Sequence, residues 1–83
     1  MYYTYVLKSQ KDKRLYIGYS SDLRNRLNKH DNGEVESTKH RRPLELIFYE
    51  AFKNKKDAQR REKYFKTDKG KSSLKQMVRF SIE

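Results

Sequence analysis

Nine residues, Leu44 to Phe52, read LELIFYEAF and form the longest apolar stretch of the chain. Side chains such as Ile47, Phe48, Tyr49 and Phe52 fit a pleated, half-buried surface. Pro43 stands just ahead of the run, where a missing N–H does a ladder no harm. The stretch is therefore the candidate central strand, and the rest of the fold must be assembled around a small apolar supply. Only 34% of the 83 residues are hydrophobic, and a chain of this length hides roughly 60 to 65% of its unfolded surface. Seven Tyr and four Phe offset the shortage, because each buried aromatic removes roughly 150 to 250 Å² from water. One folded domain spanning residues 1–83 is expected rather than a disordered segment.

Two further strands precede that run. Residues 2–8, YYTYVLK, are rich in aromatic and β-branched types and hold no breaker, and Leu15 to Tyr19 alternates Leu15, Ile17 and Tyr19 with Tyr16 and Gly18. The polar residues 9–14 supply a hairpin loop between them. Gly18 inside a strand removes a side chain, which lets a ligand or another chain come close to the backbone. Ser20 or Ser21 is placed to cap a helix with Leu23, Arg26, Leu27 and His30 on one face, ended by Asn32 and Gly33. After a polar loop and the apolar run, Asn54 and Asp57 open a second helix with Ala58, Arg61, Glu62 and Phe65 on one face, ending near residues 67–70. Leu74, Met77 and Val78 then mark a short third helix. The order ββαβαα predicts an α+β fold with a small three-stranded antiparallel sheet flanked by helices.

Charge narrows the partner. The chain carries 21 Lys and Arg against 11 Asp and Glu, a formal +10, which favours a polyanion. Residues 53–75 hold ten of the bases and three of the acids, and five phosphate contacts there predict a salt slope of about −4 to −5 on duplex DNA. Lys55, Arg61, Lys66, Lys69 and Lys71 in this segment, with the loop run Lys39, His40, Arg41 and Arg42, are the candidate nucleic-acid contacts. DNA is the first expectation and RNA the second. A membrane surface is disfavoured, because the few apolar positions of residues 53–75 are needed for the core. No run approaches the ~20 apolar residues of a membrane span, the N-terminus lacks a signal-peptide pattern, and the absence of cysteine rules out a disulfide scaffold. A cytoplasmic location is expected.

Read residue by residue, the candidates for chemistry have ordinary alternatives. Glu62 is the only acid on the inner stripe of either of the first two helices, suited to a hard cation that takes one carboxylate plus waters and substrate oxygens, or to an ion pair with Lys66, Arg61 or Lys63. Arg26 presents five fixed donors to a phosphate, or snorkels along the helix. His30 follows Arg26 by one turn, and a helix histidine commonly serves packing. Strand tyrosines such as Tyr5 and Tyr16 commonly pack too, and a phenol with a pKa of about 10 needs cations nearby to act as a base.

Tyr5 in the first strand, Tyr16-Ile17-Gly18 in the second, Arg26 and His30 on the next helix and Glu62 on the one after stand in the order of a GIY-YIG nuclease domain. The segments YIGYSSDLRNRLNKHDNG, STKHRRPLELIFYEAF and DAQRREKYFK extend the resemblance over nearly the whole chain. The closest likeness is to the small stand-alone bacterial proteins of that superfamily, which are similar to the nuclease module of the repair excinuclease. Two positions depart from the pattern: Tyr3-Thr4-Tyr5 stands where the name-giving motif has Gly-Ile-Tyr, and no asparagine follows Asn54, whereas many active members carry one beyond the glutamate. The resemblance implies a metal-dependent endonuclease of low sequence specificity, suited to structure-selective cutting in DNA repair or recombination. It implies Glu62 as ligand of a single Mg²⁺ or Mn²⁺, Arg26 on the scissile phosphate, Tyr5 as general base assisted by Tyr16, and His30 as a positioning group. The alternative is a DNA- or RNA-binding module that keeps the fold with little catalysis.

Overall fold

The computed structural model describes residues 1–83. Strands β1 (Tyr2–Ser9) and β2 (Leu15–Ser20) are followed by helix α1 (Leu23–Asp31), a 3₁₀ turn (Lys39–Arg41), strand β3 (Leu44–Phe52) and helices α2 (Lys55–Phe65) and α3 (Asp68–Met77). The sheet is antiparallel throughout, in the order β2-β1-β3. The α+β class and the ββαβαα order match the sequence reading.

The centre of the sheet is β1, which corrects the placement of the apolar run. Six successive residues of β1, Thr4 to Ser9, are buried, whereas β3 lies at an edge with Tyr49 53% and Leu46 37% exposed. Position decides this. Strand β1 is paired on both sides and covered on both faces, so even its Thr4, Lys8 and Ser9 are taken inside. Each of these finds a partner: Thr4 Oγ1 donates to the Ala58 carbonyl at 2.7 Å, Ser9 Oγ to the Arg41 carbonyl at 2.6 Å, and Lys8 Nζ to the Ile82 carbonyl.

Alternation along β1 assigns the two faces. Val6 turns toward α2 and α3 and joins Ile17, Phe65, Leu74 and Val78 in the hydrophobic core, with Phe48 edge-on to Phe65 at 6.3 Å. Tyr5 and Leu7 turn the other way, under α1. A register shift between Val6 and Leu7 lets β3 depart from strict pairing there.

Local signals account for most boundaries. Asn54 caps α2 through Oδ1 to Lys56 N at 2.8 Å, and α1 ends at Asn32 followed by Gly33 at φ +76°. The cap of α1 is Asp22, whose Oδ1 accepts from Asn25 N at 3.2 Å, rather than Ser20 or Ser21. Ser20 Oγ instead accepts from Asp22 N. α2 stops at Phe65 and Thr67 caps a longer α3 than expected, accepting from Gly70 N at 3.0 Å.

Candidate active site

The face of the sheet under α1 holds a connected polar chain. Tyr5 of β1 leans across β2, where Gly18 offers no side chain, and its phenol lies 2.7 Å from His30 Nε2 on α1. His30 Nδ1 lies 2.7 Å from Thr38 Oγ1, and Thr38 Oγ1 contacts the Val35 carbonyl at 3.5 Å. Tyr5 and Thr38 are 0% exposed and His30 is 1% exposed. Arg26, one turn before His30, donates from Nε to the Tyr5 oxygen at 3.4 Å. Tyr16, half-buried on β2, completes the cluster with its ring 6.4 Å from that of Tyr5 and 5.3 Å from His30.

The donors can be ordered. If Thr38 keeps its contact to the Val35 carbonyl as donor, its oxygen accepts from His30 Nδ1–H, which leaves Nε2 bare to accept the Tyr5 O–H. Burial, reinforced by the charge of Arg26, pushes the His30 pKa down to about 4, so the ring is neutral at pH 7. Burial also raises the Tyr5 pKa above its ordinary value; the hydrogen bond from Arg26 works against this, while the nearby Tyr16 phenol and the charge of Glu62 add to it. The hydrogen bond to Tyr5, with further contributions from Tyr16, holds Arg26 more firmly protonated against the cost of its burial. A protonated phenol thus points at a neutral base, with a permanent cation on its other side.

Glu62 reaches this neighbourhood from α2. Its charge acts on Tyr5, but its carboxylate is hydrogen-bonded to Lys66 Nζ at 2.9 Å, with 22% of the side chain exposed. No three His, Cys, Asp or Glu side chains converge on a point that would hold a metal ion. The single carboxylate fits a Mg²⁺-type ion that draws its remaining ligands from water and phosphate oxygens.

A family model described as the GIY-YIG catalytic domain matches residues 1–76. The chain belongs to the GIY-YIG family. Among its relatives is a UPF0213 protein of Staphylococcus saprophyticus, 41% identical over 75 residues that cover 89% of this chain and 90% of the relative. A UPF0213 protein of Clostridium perfringens is 43% identical over 67 residues, 80% of this chain and 71% of the relative. The solution structure of a UPF0213 protein from Bacillus halodurans superposes with a TM-score of 0.58 at 32% identity, covering 93% of this chain and 85% of that one. Within the matched span, Tyr5, Tyr16, Arg26 and His30 form one contact cluster, and Glu62 lies within electrostatic reach of it.

The candidate nucleic-acid contacts divide by their partners. Arg61 is held by Glu50 at 2.8 Å and lies 4.3 Å over the Phe65 ring, a packing role. Arg41 pairs with Asp12 at 3.0 Å, lowering the Asp12 pKa to about 2, and Lys39 pairs with Glu36 at 3.1 Å. Lys66 is engaged by Glu62, and Arg42 donates to the Lys39 and Asp31 carbonyls. His40 is exposed, and its carbonyl accepts from Lys11 Nζ. Lys55, Lys69 and Lys71 are exposed without a carboxylate partner. Thr38 escapes sequence reasoning altogether: it sits in a polar loop eight residues after His30, and no periodicity links the two.

Proposed function

We propose that this GIY-YIG protein is a metal-dependent endonuclease that hydrolyses DNA phosphodiester bonds, one strand per site and with low sequence specificity. The observation that carries the proposal is the fully buried Tyr5 phenol held between neutral His30 and cationic Arg26. A tyrosine buried only for packing needs one acceptor, whereas this one has a proton acceptor and a phosphate-binding group on the same oxygen.

Magnitudes define what the resting site must wait for. Passing a proton from a phenol at its ordinary pKa of about 10 to an imidazole near 4 costs roughly 8 kcal/mol. The resting cluster is therefore inactive as a base, and Arg26 also covers the Tyr5 oxygen. A phosphate oxygen is a stronger acceptor than a neutral phenol, so an arriving backbone draws the long Arg26 bond off Tyr5. That exchange exposes the phenol oxygen to the attacking water and neutralises the charge that helps hold His30 low. Tyr5 then takes the proton of the water while handing its own to His30 Nε2. Thr38 keeps the imidazole in the accepting tautomer, and Arg26 follows the charge growing on the phosphate. Glu62 would hold the divalent ion, which when bound supplies Lewis-acid stabilisation of the phosphate and the leaving oxygen.

The test is incubation of supercoiled plasmid and of branched DNA with the wild type and Glu62→Ala in Mg²⁺ or Mn²⁺. Nicking by the wild type that falls at least about 10²-fold in the mutant is expected. Retention of DNA with no Glu62-dependent nicking would replace the nuclease with a binding module.

A further inference from the structure

On the opposite face from the tyrosines, β2 and α3 enclose a groove of about 540 Å³. Its floor is the flank of the core, Leu15, Ile17, Leu74 and Ile82, and its rim carries Lys13, Arg14, Lys71, Lys75 and Arg79. These cations come from three separate places: the hairpin loop, α3, and the turn after α3. The lining contains no Asp or Glu, and none of the five cations takes part in a salt bridge. Some bases elsewhere are paired, as with Arg41, Arg61 and Lys66, and the unpaired ones such as Lys29, Lys53 and Lys55 do not line the groove. Lys71 and Lys75 stand one turn apart on α3, a spacing at which like charges destabilise a helix. The fold therefore gathers five unpaired cations around this groove.

We infer that the groove between β2 and α3 binds the sugar–phosphate backbone of duplex DNA on one side of the bond to be cut. Strand order gives the geometry. β2 is an edge strand, Ile17 lines the groove, and its neighbour Tyr16 projects from the other face into the catalytic cluster. One strand thickness separates the two sites, so a backbone crossing the open edge of β2 reaches Arg26 on one face and the cationic rim on the other. A free monoanion would leave most of the five cations unused, whereas successive phosphates occupy them in turn. The apolar floor accommodates the less polar faces of the sugars. This inference rests on the nuclease reading for what happens at Tyr16, but its test does not.

The experiment measures equilibrium binding of a defined DNA duplex in EDTA, across a range of salt, for the wild type, Lys71→Ala/Lys75→Ala/Arg79→Ala, and a control triple of equal charge change, Lys29→Ala/Lys53→Ala/Lys56→Ala. All six positions are exposed, and circular dichroism checks the fold. The groove triple is expected to flatten the slope of log affinity against log salt by about 2.7, and Arg14→Ala alone by about 0.9. The control triple is expected to change it by less than about 1. An unchanged slope in the groove triple would overturn the inference and leave the groove to another partner, such as an acidic protein. Equal losses in both triples would overturn it too, since net charge alone would then explain binding. Failure of the plasmid assay with an intact slope effect would remove the nuclease and leave the groove. Glu62-dependent nicking with no slope effect would do the reverse.

Discussion

A Cβ placed on Gly18 falls 2.3 Å from Tyr5 Cζ and 2.4 Å from its hydroxyl oxygen. No rotation of a methyl group relieves that overlap, so Gly18→Ala must displace the phenol from His30. Displacements of about 1 Å at a reacting group cost on the order of 10²-fold in rate, and a loss of that size is expected in plasmid nicking, with DNA retention kept. Nicking at the wild-type rate would show that the Tyr5 position is not used. The glycine was legible as a strand residue lacking a side chain, though what fills the space is the neighbouring tyrosine rather than a ligand. His30 was legible from its helical spacing after Arg26. Thr38 was not, because its role arises from loop closure back onto α1, and only the fold brings residues 30 and 38 to hydrogen-bond distance.

At the level of elements, local chemistry predicts well and tertiary position predicts poorly. Asn54 and the Asn32-Gly33 pair act through groups within a few residues of themselves, and both boundaries appear where expected. Leu44 to Phe52 is apolar enough for the middle of a sheet, yet burial follows from being paired on two sides, and that place is taken by β1. The junction of α2 and α3 was equally hidden, since the expected end of α2 ran into residues that begin α3. Gly70 shows why the two helices meet so tightly: a Cβ there would lie 1.8 Å from the Tyr64 carbonyl oxygen. Gly70→Ala is expected to destabilise the domain by about 2 kcal/mol or more, read as a lower urea midpoint. An unchanged midpoint would mean that the α2–α3 junction can open without cost.

Across the whole molecule, the +10 charge is not a uniform coat. Ion pairs absorb Arg41, Arg61 and Lys66, whereas the five cations of the β2–α3 groove are unpaired and gathered in one place, and two of them come from a hairpin that the count over residues 53–75 could not include. Buried His30 also links overall stability to pH. Its pKa is near 4 in the folded chain against 6.5 unfolded, so the unfolded state binds the proton first as pH falls. The His30 contribution is complete above pH 6.5 and is lost progressively down to pH 4, by roughly 3 kcal/mol in total. Unfolding measured between pH 7 and 4 is expected to show this fall, with a shallower one in His30→Asn; equal slopes in the two proteins would place the titration elsewhere.

The claim on which the rest depends is that Tyr5 exchanges a proton during strand cleavage. The direct measurement is the single-turnover rate of plasmid nicking from pH 6 to 9 for the wild type and Tyr5→Phe, each at saturating Mg²⁺. The wild-type rate is expected to stay nearly flat from pH 6 to 9, because His30 is already neutral and Tyr5 still protonated there, and Tyr5→Phe to be slower by about 10² to 10⁴ across the range. Cleavage by Tyr5→Phe at the wild-type rate would contradict the assignment.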